Sequence, residues 1–213
     1  MSSASPEASL LAVDGLAYGY GDRVLQRDLD FSVAAGEVQV MFEGIVTLAP
    51  HAAESLFAAG AGDKVVGVVQ YSDYPEAAKK VARVGGYTSV DMEKVVALKP
   101  DLVLAWKSGN RDAHLDKLRG LGIPVFINEP RKIEDVARSL SQLGKLAGTE
   151  AVAEAAAKAF RERHAALQAR YSTRPRVRTF YEIWNRPLMT INGEHLISDV
   201  IRLCGGENVF ARL

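Results

Sequence analysis

The chain has 213 residues, nearly half of them apolar, which is enough to build one large packed body or two smaller ones. Its 26 lysines and arginines balance 26 aspartates and glutamates, so the composition offers no basic face for nucleic acid. A lone cysteine, Cys204, excludes an internal disulfide, and no apolar run approaches the roughly 18 residues of a membrane span. No export signal is read, because the first basic residue is Arg23 and the apolar stretch Leu10–Val13 is short for a signal core.

In chain order, the first recognisable unit is "LLAVDGLAYGYGDRVLQRDLDFSVAAGEV" at residues 10–38. It reads as a strand, a tyrosine-bearing turn, a second strand and a glycine turn. The stretch resembles the opening of an ABC-transporter ATPase, in which an aromatic near the positions of Tyr18 or Tyr20 stacks on adenine and the next strand enters a GxxxxGK[ST] loop. Here "QVMFEGIVTLAP" follows instead, and no such loop occurs. The backbone amides, lysine and hydroxyl that hold a nucleotide and its magnesium are lacking. Residues 1–40 are expected to form a small β-ribbon without nucleotide chemistry, joined to a body of another kind.

From Gly44 the pattern is regular α/β. "IVTL" is a short strand, and Pro50 opens a helix through "HAAESLFAAG" that Gly60 stops. "KVVGVV" is a buried strand; "YSDYPEAAKKVA" is a loop and a short helix. A further helix starts near Ser89 and carries Asp91 and Glu93 in its first turn, the favoured sign there. Pro100 stops it, "DLVLAW" is the next strand, and the helix "RDAHLDKLRGLG" leads into the strand "PVFI". Short strands alternating with helices imply a parallel sheet covered on both faces. After a helix over 132–147, the stretch Thr149–Tyr171 lacks glycine and proline and predicts one helix of roughly six turns. Between two α/β portions it reads as a rigid strut. "VRTFYEIW" then starts a new strand.

A weak internal echo relates "VTLAPHAAESLFAAGAGDKVVG" to "MTINGEHLISDVIRLCGGENVF". Thr190 would correspond to Thr47, and Gly205–Gly206 to the stop at Gly60. The first copy continues into another helix and strand, whereas the second reaches Leu213, so the second lobe is expected to be incomplete.

Several motifs are specific when taken together: "LAPHAAESLFAAGAGDKVVGV", "YSDYP", "DMEKVVALKPDLVLAWKSGN", "LGIPVF" and "LISDVIRLCGGENVF". On these the chain from about Gly44 onward resembles the periplasmic vitamin B12-binding proteins of the BtuF type, which serve ABC importers. "KPDLVLAW" alone marks the wider class that also takes haem and iron-siderophores; "YSDYP", "AWKSGN" and "CGGENVF" narrow it to the corrinoid branch. The resemblance implies a two-lobed class III binding-protein fold with a long inter-lobe helix. The expected division is residues 1–40, a first lobe at 41–148, the helix at 149–174 and a partial second lobe at 175–213. It implies a non-enzymatic protein with no cofactor and no metal, holding cobalamin or a related corrinoid between the lobes and delivering it to a permease in the cell envelope. Haem or an iron-siderophore is the alternative ligand; a nucleotide-binding fragment or a non-functional fusion product are alternatives of another class.

The aromatics fit a broad, flat, mostly neutral ligand, which is best held by ring faces with polar donors at the rim. Trp106 follows "DLVLA" and Trp184 follows "TFYEI", so both stand at C-terminal ends of strands, where open α/β sheets bind ligands. By resemblance, Tyr71, Tyr87 and Trp106 line the cleft from the first lobe, and Trp184 faces it from the second. Pro50 and His51 lie on the first strand-to-helix turn facing the same cleft, with a capping or solvated role as the plainer reading of His51. Tyr74 reads as a turn-packing residue. Glu93 matches a family glutamate that docks on permease arginines, and a first-turn acid complementing the helix dipole is the plainer alternative. The four histidines show no metal-ligand spacing. Cys204 reads as a small core residue.

Overall fold

In the computed structural model the described residues are 9–20, 23–34 and 41–213, the first two segments as backbone only. The chain divides into two compact units, Met1–Val40 and Met41–Leu213. In the first, β1 (Ser9–Tyr20) and β2 (Arg23–Ala34) pair antiparallel, as a ribbon should. The glycine turn expected after Ala34 and the side chains of Tyr18 and Tyr20 lie outside the described residues.

The second unit is built on a five-stranded parallel sheet. Its strands are β3 (Ile45–Thr47), β4 (Val65–Val68), β5 (Ala82–Arg83), β6 (Leu102–Ala105) and β7 (Val125–Ile127), in the order β5-β4-β3-β6-β7. The alternation of side chains along a strand divides the core in two. Ile45, Leu102 and Leu104 point to one face, under α1 (Pro50–Ala58), α4 (Ile133–Ala147) and α5 (Glu150–Tyr171). Val46, Val103 and Ala105 point to the other, against Val95 of α2 (Met92–Ala97) and Leu115 and Leu118 of α3 (Asp112–Gly120). With both faces covered, β3 and β6 are buried at every position, so they read as apolar runs rather than alternating ones.

Helix ends follow their sequence signals. Pro50 occupies the first turn of α1, where its missing N–H costs nothing. Asp91 caps α2 by accepting from the Lys94 N–H at 3.1 Å, so the helix starts later than Ser89. The segment after "YSDYP" forms a 3-10 turn at Glu76–Lys80 and the two-residue strand β5 rather than an α-helix. The predicted strut is present as α5. Its first turns lie against α4, where Ala153 meets Gly144 so closely that a side chain at Gly144 would overlap it. Beyond Ala157 no residue of α5 is fully buried, although Phe160 still packs against the first core.

The chain then forms β8 (Val177–Thr179), α6 (Leu196–Leu203) and β9 (Gly206–Asn208), with β8 and β9 parallel. The strand expected over "VRTFYEIW" is only three residues long, and "MTIN" forms none: Met189 makes an isolated bridge to Trp184. Unlike β3, which pairs with β4 and β6, this segment has no paired strand among the described residues beyond that bridge, where Met189 donates to the Trp184 carbonyl and accepts from the Ile183 N–H. The glycine stop of the echo does hold, since Gly60 and Gly205 share a φ of +83°.

Candidate functional site

Trp106 caps β6 at the C-terminal edge of the sheet. The chain turns back immediately, with the Gly109 and Asn110 N–H groups donating to the Trp106 carbonyl at 3.2 and 2.8 Å. The indole folds over this turn, and a Cβ at Gly109 would fall on the ring, so the glycine is required by close approach. Asn110, 6 % exposed, ties the turn to its surroundings. Its Oδ1 accepts from the Trp106 N–H at 2.7 Å, and its Nδ2 donates to the carbonyls of Leu48 and Tyr87, both at 2.9 Å. One side chain thus joins the loop after β3, the loop before α2 and the loop after β6. A second tie runs to the loop after β7: Ser108 donates from its N–H and its hydroxyl to the two carboxylate oxygens of Glu129, at 3.0 and 2.6 Å.

These ties assemble an aromatic group. His51 meets the Trp106 ring edge-on, with centroids 5.4 Å apart and planes at 87°, and Tyr87 is tilted against the same ring at 6.0 Å. Burial lowers the His51 pKa from its ordinary value, although the Asn128 carbonyl and the Glu129 charge act in the opposite sense. Burial therefore favours the neutral form of His51.

Beside this group opens a cavity of about 660 Å³ between the sheet edge and the C-terminal portion. Trp106, Leu140, Val136 and Phe160 supply apolar wall, and Asn192, Glu194 and His195 close it from the loop before α6. The two sides are linked where Asp199 of α6 accepts from the Ile133 N–H at the start of α4, at 2.8 Å. Burial disfavours the ionised Asp199, but the Ile133 N–H, the Arg202 guanidinium and the neighbouring His164 outweigh it and lower its pKa.

Of the residues singled out from the sequence, His51, Tyr87 and Trp106 come together, and His51 and Trp106 line the cavity. Pro50 precedes His51 in the first turn of α1, partly buried and outside the lining. Tyr71 is 74 % exposed, at a positive φ of 67°, and is not part of the lining. Trp184 is 64 % exposed and bonds its own loop through Nε1 to the Arg186 carbonyl at 3.1 Å, also outside the lining. Tyr74, read from the sequence as a packing residue, is instead exposed and lines the cavity. Glu93 projects from the first turn of α2 without an ion pair among the described residues. Cys204 is exposed rather than buried. Asn110, Ser108 and Glu129 were not recognised as structural ties from the sequence; Ser108 and Asn110 lie within the "SGN" of "AWKSGN", whose value as a family marker was the available signal.

The family model for periplasmic binding proteins matches residues 45–213. The chain belongs to the periplasmic binding protein family. Among the members, it is 41 % identical over 169 residues to a vitamin B12-binding protein of Vibrio parahaemolyticus, covering 79 % of this chain and 62 % of that one. The periplasmic vitamin B12-binding protein BtuF of Vibrio cholerae superposes with a TM-score of 0.76 at 38 % identity, covering 81 % of this chain and 68 % of that one. A periplasmic haem-binding protein of Pseudomonas aeruginosa superposes with a TM-score of 0.70 at 25 % identity, covering 79 % and 63 %. The chain spans about three-fifths of the length of the curated relatives it matches. As a periplasmic binding protein it has the two-part α/β fold with a connecting long helix that the sequence pattern implies.

Proposed function

We propose that the chain is a non-enzymatic binding component of an ABC importer that holds cobalamin or a related corrinoid in the cleft beside Trp106 and passes it to a permease at the cell envelope. The observation that carries this reading is the aromatic group of His51, Tyr87 and Trp106, tied rigidly to four loops at the edge of a parallel sheet and opening on a largely apolar cavity. A flat macrocycle stacks on such a ring group while its peripheral amides meet the polar residues of the rim. The likeness to vitamin B12-binding proteins of two Vibrio species supports the same ligand class.

In this reading residues 41–148 and 175–213 are the two lobes and 149–174 the helix between them. Tyr71 and Trp184, both exposed, would close on the outer part of the ligand, Trp184 by giving up its bond to the Arg186 carbonyl. Glu93, exposed on a rigid helix end, is the first-lobe contact to permease arginines. Cobalamin is the cargo and not a resident cofactor.

Titration with cobalamin tests the proposal: Trp106 fluorescence should be quenched, and Trp106→Ala should weaken binding by about 1–3 kcal/mol, the scale of a buried aromatic contact. Unchanged affinity in that variant removes Trp106 from the site. Haem is the second reading, favoured by the likeness to the Pseudomonas protein. A shifted Soret band on adding haem, with no response to cobalamin, would establish it.

A further inference from the structure

The charge lining the cleft is uneven in a way that selects between ligands of one shape. Glu54 on α1, Glu129 after β7 and Glu194 before α6 place three carboxylates on its wall, from both sides of the cavity. Glu54 and Glu194 have no ion pair among the described residues, and Glu129 is held by the neutral Ser108. Arg131 is the one guanidinium among the described lining residues to oppose them. Its backbone N–H is spent on Asp135, and its guanidinium has no carboxylate partner among the described residues. His195, which also lines the cleft, spends its Nδ1 accepting from the Ile197 N–H at 3.1 Å. Burial disfavours the charged form of His51, which also lines the cleft.

We infer that this acid-lined cleft is a charge filter, admitting a tetrapyrrole whose rim is carboxamide and rejecting one whose rim carries carboxylates. The proposal rests on the corrinoid reading above and refines it. A corrin edge of neutral amides donates N–H groups to Glu54 and Glu194, while Arg131 accommodates the single phosphate charge of the nucleotide arm. Replacing one peripheral amide by a carboxylate leaves size and stacking unchanged. It removes donors and sets a negative charge against the carboxylates of Glu54 and Glu194, which are exposed, so that the repulsion is one that salt screens. Haem, with two propionates, meets the same repulsion twice. Discrimination then comes from what the wall repels as much as from what it attracts.

The experiment compares cobalamin with its peripheral monocarboxylic acid derivative on the full chain at low ionic strength and pH 7. Binding is read by tryptophan quenching and by calorimetry. The monoacid is expected to bind about tenfold more weakly, a ratio that shrinks toward one in 0.5 M salt and in the Glu54→Gln/Glu194→Gln double variant. Equal affinity for the two ligands in the parent chain overturns the charge filter and leaves the corrinoid reading standing. A ratio unmoved by both salt and the double variant also overturns it, because a lost hydrogen bond alone would then explain the preference. Failure of both ligands to bind removes the corrinoid reading itself, and the filter with it.

Discussion

The two α/β portions of the second unit stand on different physical footings. Around the five-stranded sheet, Ile45, Leu56, Leu104, Leu115 and Leu118 are fully buried, and helices cover both faces. Around β8 and β9 the fully buried residues are few, and the packing is polar. Asn208 donates from Nδ2 to the Ile191 carbonyl at 2.9 Å and to Ser198 Oγ at 2.8 Å, while Ser198 donates to the Asn192 carbonyl at 2.6 Å. Val177, Phe180, Trp184, Leu188 and Phe210 stay exposed. The first portion is held by area removed from water, the second by a knot of directional bonds. Each contains a buried asparagine that joins separate loops, Asn110 in one and Asn208 in the other. Only Asn110 does so over a deep apolar core, and it is there that the aromatic group of the cleft is fixed.

The comparison is sharpest in a pair of truncations. Leu104→Ala should destabilise the protein by about 2–5 kcal/mol, because the surrounding strands cannot close the cavity left behind. Val177→Ala should cost no more than about 0.5 kcal/mol, as an exposed substitution does. Denaturant unfolding measures both, and similar losses would show that the second portion is as well packed as the first.

The asparagine clamps give the next largest effect. Asn110→Ala leaves the Leu48 and Tyr87 carbonyls and the Trp106 N–H without their partner and should cost about 1–3 kcal/mol. It should also shift the Trp106 emission toward that of a solvated indole and weaken ligand binding. Asn208→Ala should lower stability without moving that emission, so a Trp106 shift in both variants would mean that the two portions are not separable in this way.

The smallest effect concerns the link between them. Asp199→Ala removes the acceptor of the Ile133 N–H and should cost about 0.5–1.5 kcal/mol. Since the folded Asp199 pKa is depressed, the unfolded chain takes up a proton first as pH falls. Its contribution is complete above the ordinary aspartate range near pH 4 and is lost as the pH drops through the folded value. Thermal unfolding between pH 6 and pH 3 should therefore show a shallower loss in Asp199→Asn than in the parent. Parallel curves would remove Asp199 as an acid-sensitive link.

Much of this was legible in the residues alone. Alternating short strands and helices, the glycine- and proline-free run up to Tyr171 and the glycine stops are local signals, because helix propensity, capping and a left-handed turn depend on a few neighbouring residues. So was the position of Trp106, since a tryptophan directly after a buried strand must stand at the sheet edge. What the tertiary structure decided are contacts between segments far apart in sequence: Asn110 reaching Leu48 and Tyr87, Glu129 holding Ser108, and Glu194 sharing a cavity with Glu54. It also decided the outcome of equal local signals. "VRTFYEIW" and "DLVLAW" are both strand-forming by composition, yet β8 stops at Thr179 while all of β6 is buried. A strand is completed by neighbours that take up its backbone hydrogen bonds and cover its faces, and those are fixed by the fold as a whole rather than by the segment itself.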